Sequence, residues 1–178
     1  KLMQIASGAS YNTDDDYSVV DEGRYELIAD LVQARDNSVV FFNWKHQKAE
    51  LIKEFIKQGI TYTVIDGSVT DRARAEAVDH FQKGFYKVLL AHPQSAAHGL
   101  TLTKGTSTIW ASPTYNLEHF TQGNRRIYRA GQLLRTETVV IVAAGTIEEK
   151  VMAKLGDKDA KQSDVLNIVK EMFQEDNR

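Results

Sequence analysis

Ser38-Val39-Val40-Phe41-Phe42 is a short, unbroken apolar run, the pattern of a strand buried on both faces of a parallel sheet. The period changes on either side of it. Upstream, Leu27, Ile28, Leu31 and Val32 fall on one helical stripe within residues 24–35. Downstream, Ala49, Leu51, Ile52, Phe55 and Ile56 give residues 45–57 the same spacing, and Gly59 is a natural stop. Thr61-Tyr62-Thr63-Val64-Ile65 is β-branched and aromatic, which predicts a second strand. Asp66-Gly67-Ser68 turns the chain, and Thr70 caps a helix reaching Gln82, with Ala73, Ala77, Val78 and Phe81 inward. Residues 86–91, 106–111 and 137–143 predict three more strands. Asn116 caps the helix between the last two. Thr146-Ile147-Glu148-Glu149 has capping-box spacing and opens a helix to about Leu155. Residues 161–173 predict a final amphipathic helix. Strands alternating with helices imply an α/β fold with right-handed crossovers and a central, mostly parallel sheet flanked by helices. Ligands of such sheets sit beyond the carboxyl ends of the strands. Residues 1–22 read as loop and linker, 23–156 as the domain, and 157–178 as a C-terminal helical extension.

The chain has 178 residues, 42% of them hydrophobic, enough for one well-cored domain. It has no cysteine, which excludes disulfides, thiolate nucleophiles and Cys-based metal sites. No apolar run approaches the roughly 20 residues of a membrane span. The formal net charge is −2, so any nucleic-acid contact must be a local patch. The chain opens on Lys1 without an initiator methionine and is expected to be a piece of a longer protein.

The loops at the carboxyl ends carry the chemistry. Trp44 follows the first strand and can stack on a base or pack as a half-buried tryptophan. Asp66-Gly67-Ser68 leads into a helix start at Thr70, where free amides favour a phosphate. Ser95, Ala96, Ala97 and Gly99 are small enough for close approach, and Ser95 and Thr101 add hydroxyls. His92 and His98 lack the spacing and the carboxylate of a metal site, so no metal ligand is assigned. No Gly-x-x-x-x-Gly-Lys-Ser/Thr occurs, and Asp21-Glu22 after Val19-Val20 reads as a solvated turn.

Gln122-Gly123-Asn124-Arg125-Arg126-Ile127-Tyr128-Arg129-Ala130-Gly131-Gln132 is the most informative stretch for function. Arg126 and Arg129 are three apart and share a face if the segment is helical. Two guanidinium forks near Gly131 suit a multiply charged oxyanion such as a phosphate chain. The alternative is a solvated basic helix face.

The order of these motifs resembles the C-terminal RecA-like lobe of superfamily-2 helicases, in particular the Swi/Snf-type double-stranded-DNA translocases of bacterial and phage type. Val39-Val40-Phe41-Phe42-Asn43 resembles the family's motif four, and Asp66-Gly67-Ser68 with Arg74 and Phe81 its next block. His98-Gly99-Leu100-Thr101-Leu102 resembles motif five, and residues 122–132 resemble motif six. Thr146-Ile147-Glu148-Glu149-Lys150 resembles the start of the helix that closes the lobe. Arg125 and Tyr128 depart from the usual acidic residue and histidine.

The resemblance implies a RecA-like three-layer fold and a second motor lobe. ATP and Mg2+ would be held mainly by a preceding N-terminal RecA-like lobe of the same polypeptide, to which residues 1–22 would link. Arg126 and Arg129, assisted by Gln122, would act as catalytic residues at the phosphates. Gly99, Leu100 and Thr101 would contact ATP. Ser68, Thr70, Arg74, Ser95 and Trp44 would contact DNA, expected to be duplex. The implied setting is the cytoplasm of a bacterial or phage-infected cell, at the nucleoid, without membrane attachment. A lobe of a strand-separating DNA or RNA helicase remains open. So does a doubly wound small-molecule-binding domain, although no Gly-x-Gly-x-x-Gly follows a strand.

Overall fold

The run at Ser38 forms the middle of a five-stranded parallel sheet in the computed structural model, which describes residues 1–12, 16–96 and 99–157. Helix α1 spans Leu2–Ala6, and a hairpin of β1 (Ala9–Tyr11) and β2 (Tyr17–Val19) follows. Then come α2 (Gly23–Gln33), β3 (Ser38–Phe41), α3 (Lys45–Lys57), β4 (Tyr62–Ile65), α4 (Asp71–Gln82) and β5 (Val88–Ala91). The chain continues through α5 (Pro93–Ala96), β6 (Ser107–Trp110), α6 (Leu117–Asn124) and β7 (Glu137–Val140), and residues 147–157 form α7. The strand order is β4-β5-β3-β6-β7, with every pair parallel. The final helix expected at 161–173 lies outside the described residues.

Alternation along β3 explains the three layers. Val40 and Phe42 point to one face, where they meet Tyr25, Ile28, Ala29 and Val32 of α2 and Leu51 and Phe55 of α3. Val39 and Phe41 point to the other, against Ala77 and Phe81 of α4, Ala96 of α5, and Trp110 and Ile127. All four residues of β3 are buried, as a strand covered on both faces requires. Burying each such side chain is worth roughly 1.5–3 kcal/mol.

The first 22 residues carry more regular structure than the sequence suggests. Met3 and Ala9 are buried, and the Tyr17 hydroxyl donates to Glu50 Oε1 at 3.0 Å. The Tyr25 hydroxyl donates to the Ser7 carbonyl at 3.0 Å. Gly8 takes φ +105°, and a side chain there would meet the Asp21 carbonyl at 2.8 Å. Two three-residue strands are too short to leave a period, so only these tertiary contacts define them.

His46 fastens this hairpin to α3. It is fully buried, its backbone amide and Nδ1 each lie 3.0 Å from the Tyr11 hydroxyl, and Nε2 lies 3.2 Å from Ser7 Oγ. Burial drives its pKa down to about 4, against the raising influence of the Ser7 carbonyl and the Glu50 carboxylate. The folded state therefore binds this proton less readily than the unfolded state. Stability is expected to fall as the pH drops from about 6.5 to about 4, by roughly 3 kcal/mol in total. Melting curves of wild type and His46→Gln across that window check this. The variant should lose most of the slope that wild type shows there.

Candidate functional site

Arg129 joins two segments far apart in sequence. Its Nη1 donates to Thr101 Oγ1 at 3.2 Å, to the Leu100 carbonyl at 3.2 Å and to the Gly99 carbonyl at 3.4 Å. Its Nε and Nη2 have no partner among the described residues. Gly99 has φ +67° and open space around it, so its backbone conformation, not crowding, selects glycine. Leu102 closes the contact by donating its amide to the Arg126 carbonyl at 2.9 Å.

That bond also explains a departure from expectation. The two arginines do not lie on a helix. α6 ends at Asn124, and residues 125–130 continue as turns. In a continuing helix the Arg126 carbonyl would accept from the amide four residues on. Here the Leu102 amide takes it, and Ile127, 2% exposed, is drawn into the core. Gly123 permits the approach. A side chain there would lie 2.8 Å from Trp110 Cζ2 and 3.0 Å from Phe41. Trp110 Nε1 then donates to Asn124 Oδ1 at 2.9 Å.

Arg126 is buried, at 9% exposure, whereas Arg129 faces solvent. Burial and the nearby positive charge of Arg129 both push the Arg126 pKa down. Two like charges held close, one of them desolvated, favour an anion between or beside them. Gln122 does not join them. Its Nε2 donates to Glu118 Oε1 at 2.8 Å, one turn back along α6.

A second feature sits at the carboxyl ends of β3, β4 and β5, a cleft of about 290 Å³. Trp44, Lys45, Lys48, Asp66, Ser68 and His92 line it. Lys48 Nζ lies 2.7 Å from Asp66 Oδ2. Burial alone would raise the Asp66 pKa, but hydrogen bonds from Lys48 and from the Ser68 hydroxyl and amide hold it at about 2. The turn is thus less open to an anion than the sequence suggests. Asp66 takes the Ser68 amide, and Thr70 Oγ1 takes the Ala73 amide at 3.3 Å. Arg74 is also engaged locally, with Asp71 Oδ1 at 3.2 Å and the Val69 carbonyl at 3.5 Å.

Trp44 is half-buried, and its Nε1 is buried without a hydrogen-bond partner among the described residues. Ser95 is buried, at 8% exposure, because α5 forms directly after β5 where small residues suggested an open loop. A phosphate contact from Ser95 requires α5 to shift. The structure therefore places Trp44 and Ser68 on one cleft and clusters Arg126, Arg129, Gly99, Leu100 and Thr101 elsewhere. The β5–β6 connection touches both, because His92 lines the cleft and Gly99 to Thr101 hold Arg129.

Two groups escaped the sequence reading. Lys48 was hidden in the polar face of α3. Arg24 and Glu148 form a buried pair, 2.7 Å apart, that ties α2 to the start of α7. The expected capping box is replaced there. Thr146 Oγ1 accepts from the Glu148 amide, while the Glu148 carboxylate turns inward to Arg24 and to the Ala143 amide. No group of three His, Asp or Glu side chains suited to a metal occurs among the described residues, and none of their helices is long and apolar enough to cross a membrane.

Comparison with known proteins agrees with this architecture. Residues 23–131 match the helicase conserved C-terminal domain family. The chain is 29% identical to protein p41 of Acyrthosiphon pisum secondary endosymbiont phage 1, over 96% of this chain and 37% of that protein. It is 30% identical to the SNF2 domain-containing protein ENL1 of Oryza sativa subsp. japonica, over 70% of this chain and 13% of that one. It is also 30% identical to human DNA excision repair protein ERCC-6-like, over 82% of this chain and 12% of the relative. The chain thus spans well under half the length of these relatives. The crystal structure of the C-terminal part of the Fun30 ATPase domain superposes with a TM-score of 0.70, at 17% identity, over 74% of this chain and 44% of that one. The chain therefore belongs to the helicase conserved C-terminal domain family and is a C-terminal RecA-like lobe of the Swi/Snf-type superfamily-2 group.

Proposed function

We propose that the chain is the second motor lobe of an ATP-dependent double-stranded-DNA translocase. The observation that carries this is the Arg129 contact with Gly99, Leu100 and Thr101, which brings two arginines and a hydroxyl-bearing loop to one place. ATP and Mg2+ would be held mainly by a preceding RecA-like lobe of the same polypeptide. The Nε and Nη2 of Arg129, without a partner among the described residues, and the partly desolvated Arg126 suit the phosphate end of such a nucleotide. Arg126 and Arg129 would neutralise charge developing on the γ-phosphate, which is worth roughly 10³–10⁵ in rate where one such finger acts. Gln122 would join by leaving Glu118, and Thr101 would contact the nucleotide.

The carboxyl-edge cleft would meet DNA through Trp44, Ser68 and the neighbouring Thr70 and Arg74, touching backbone and not base edges. Ser95 would contribute only if α5 moves. Hinge closure between lobes would step the protein along the duplex. The proposed setting is the cytoplasm of a bacterial or phage-infected cell, at the nucleoid.

The test is ATP hydrolysis by the full-length protein without DNA, with single strands and with duplex, beside this chain alone. Duplex should stimulate most, and the isolated chain should not turn over. Robust hydrolysis by the isolated chain contradicts the shared site, and stronger stimulation by single strands favours a strand-separating helicase. Duplex affinity should fall with salt, with a log–log slope of about −0.9 per phosphate contact. A flat salt response contradicts backbone binding.

A further inference from the structure

We propose that Gln132 is a positioning residue for Arg129: it ties residues 99–105 and the turn at 126–129 into one body, so that the Arg129 fork is aimed before a nucleotide arrives. This role presupposes the shared ATP site proposed above. Neither segment has regular structure of its own. Residues 99–106 and 125–136 form no helix or strand, so no helix or sheet ladder fixes where Arg129 sits. The Arg129 side chain by itself links them weakly, through one exposed nitrogen with contacts of 3.2, 3.2 and 3.4 Å.

Gln132 supplies the stronger joint. Its Nε2 lies 3.0 Å from the Thr103 carbonyl, 3.0 Å from the Gly105 carbonyl and 3.2 Å from the Ile127 carbonyl. Its Oε1 accepts the Leu134 amide at 2.9 Å. The reverse amide orientation would set an oxygen against three carbonyl oxygens, so the network fixes which way the amide points. The Gln132 backbone amide donates to the Arg129 carbonyl at 3.0 Å. One residue thus holds the backbone of Arg129 and, through its side chain, the loop that receives the Arg129 guanidinium. With the Leu102 amide on Arg126, the carbonyls of residues 126, 127 and 129 all find donors although the turn is not helical. Gln82, at the end of α4, grips the same loop. Its Nε2 donates to Thr103 Oγ1 at 3.2 Å, and its Oε1 accepts the Lys104 amide at 2.9 Å. The Gln82 side chain steadies the loop, whereas Gln132 joins it to the turn that carries the arginines. Misplacing a reacting group by about 1 Å can cost about a hundredfold in rate, so such a joint bears on the chemical step.

The test is duplex-stimulated ATP turnover by the full-length protein in a double-mutant cycle of Gln132→Met and Arg129→Ala, with a melting curve for each variant. Methionine keeps the length of the side chain without its amide donor and acceptor. Gln132→Met should lower kcat by at least about tenfold while KM for ATP stays within about threefold. In the Arg129→Ala background the same change should cost less than about threefold, because it acts through that residue. Equal losses in both backgrounds, a raised KM with kcat unchanged, or a kcat within about threefold of wild type overturns the proposal and leaves the shared site standing. A silent Arg129→Ala overturns both. Where Gln132→Met does not fold, Gln132→Asn, one methylene shorter and still polar, takes its place. Failure of both to fold overturns the proposal, since Gln132 would then only hold the lobe together.

Discussion

Arg24→Met is expected to destabilise the lobe by about 3–5 kcal/mol, the cost of breaking a buried ion pair by removing one partner. Arg24 is 6% exposed and Glu148 fully buried. The guanidinium donates to Glu148 Oε2 at 2.7 Å and to the Ala111, Ala6 and Ile141 carbonyls at 2.6, 2.9 and 3.3 Å. One side chain thus joins α1, the ends of β6 and β7, and α7. Its loss leaves three carbonyls and a carboxylate without their donor. Burial already raises the Glu148 pKa, even with the Ala143 amide and Arg24 pulling it down, so an unpaired Glu148 should take up a proton. Arg24→Met/Glu148→Leu should recover part of the loss, because a matched apolar pair avoids the stranded charge. Denaturant unfolding of the three proteins decides this. A single-variant loss below about 1 kcal/mol would place the pair among ordinary surface ion pairs.

Arg129→Ala and Arg126→Ala are each expected to lower DNA-stimulated turnover of the full-length protein by at least about a hundredfold. The two should differ in stability. Arg129 is exposed and gives up only its contacts with residues 99–101, so its removal should leave the melting temperature nearly unchanged. Arg126 is 9% exposed, so its loss should also cost packing. Arg129→Lys keeps the charge but not the fork, and should remain well below wild type.

The sheet was readable because buried parallel strands leave unbroken apolar runs. Ser38 to Phe42, Thr61 to Ile65 and Tyr86 to Ala91 all lie within or beside strands where that pattern put them. The caps at Thr70 and Asn116 were readable too, and each side chain accepts the expected amide. What escaped depends on contacts distant in sequence. Spacing alone placed Arg126 and Arg129 on a helix, yet the Leu102 amide competes for the Arg126 carbonyl and ends it. Arg24, at the start of a helix, looks like a surface cation until the ends of β6 and β7 close over it. Nor can local spacing register that Glu148, beside the Glu149 of the expected capping box, finds its partner 124 residues away. Ser95 resembled a loop hydroxyl, but α5 buries it.

The most direct test of the shared site is the rate of the chemical step. Single-turnover ATP cleavage would be followed in the full-length protein with saturating duplex, for wild type and Arg129→Ala, alongside nucleotide affinity. The account predicts a loss of at least about a hundredfold in cleavage with affinity changed by less than about tenfold, as expected of a group that acts mainly in the transition state. A folded Arg129→Ala protein that cleaves ATP within about threefold of the wild-type rate would show that Arg129 is only a surface cation, and would contradict the account.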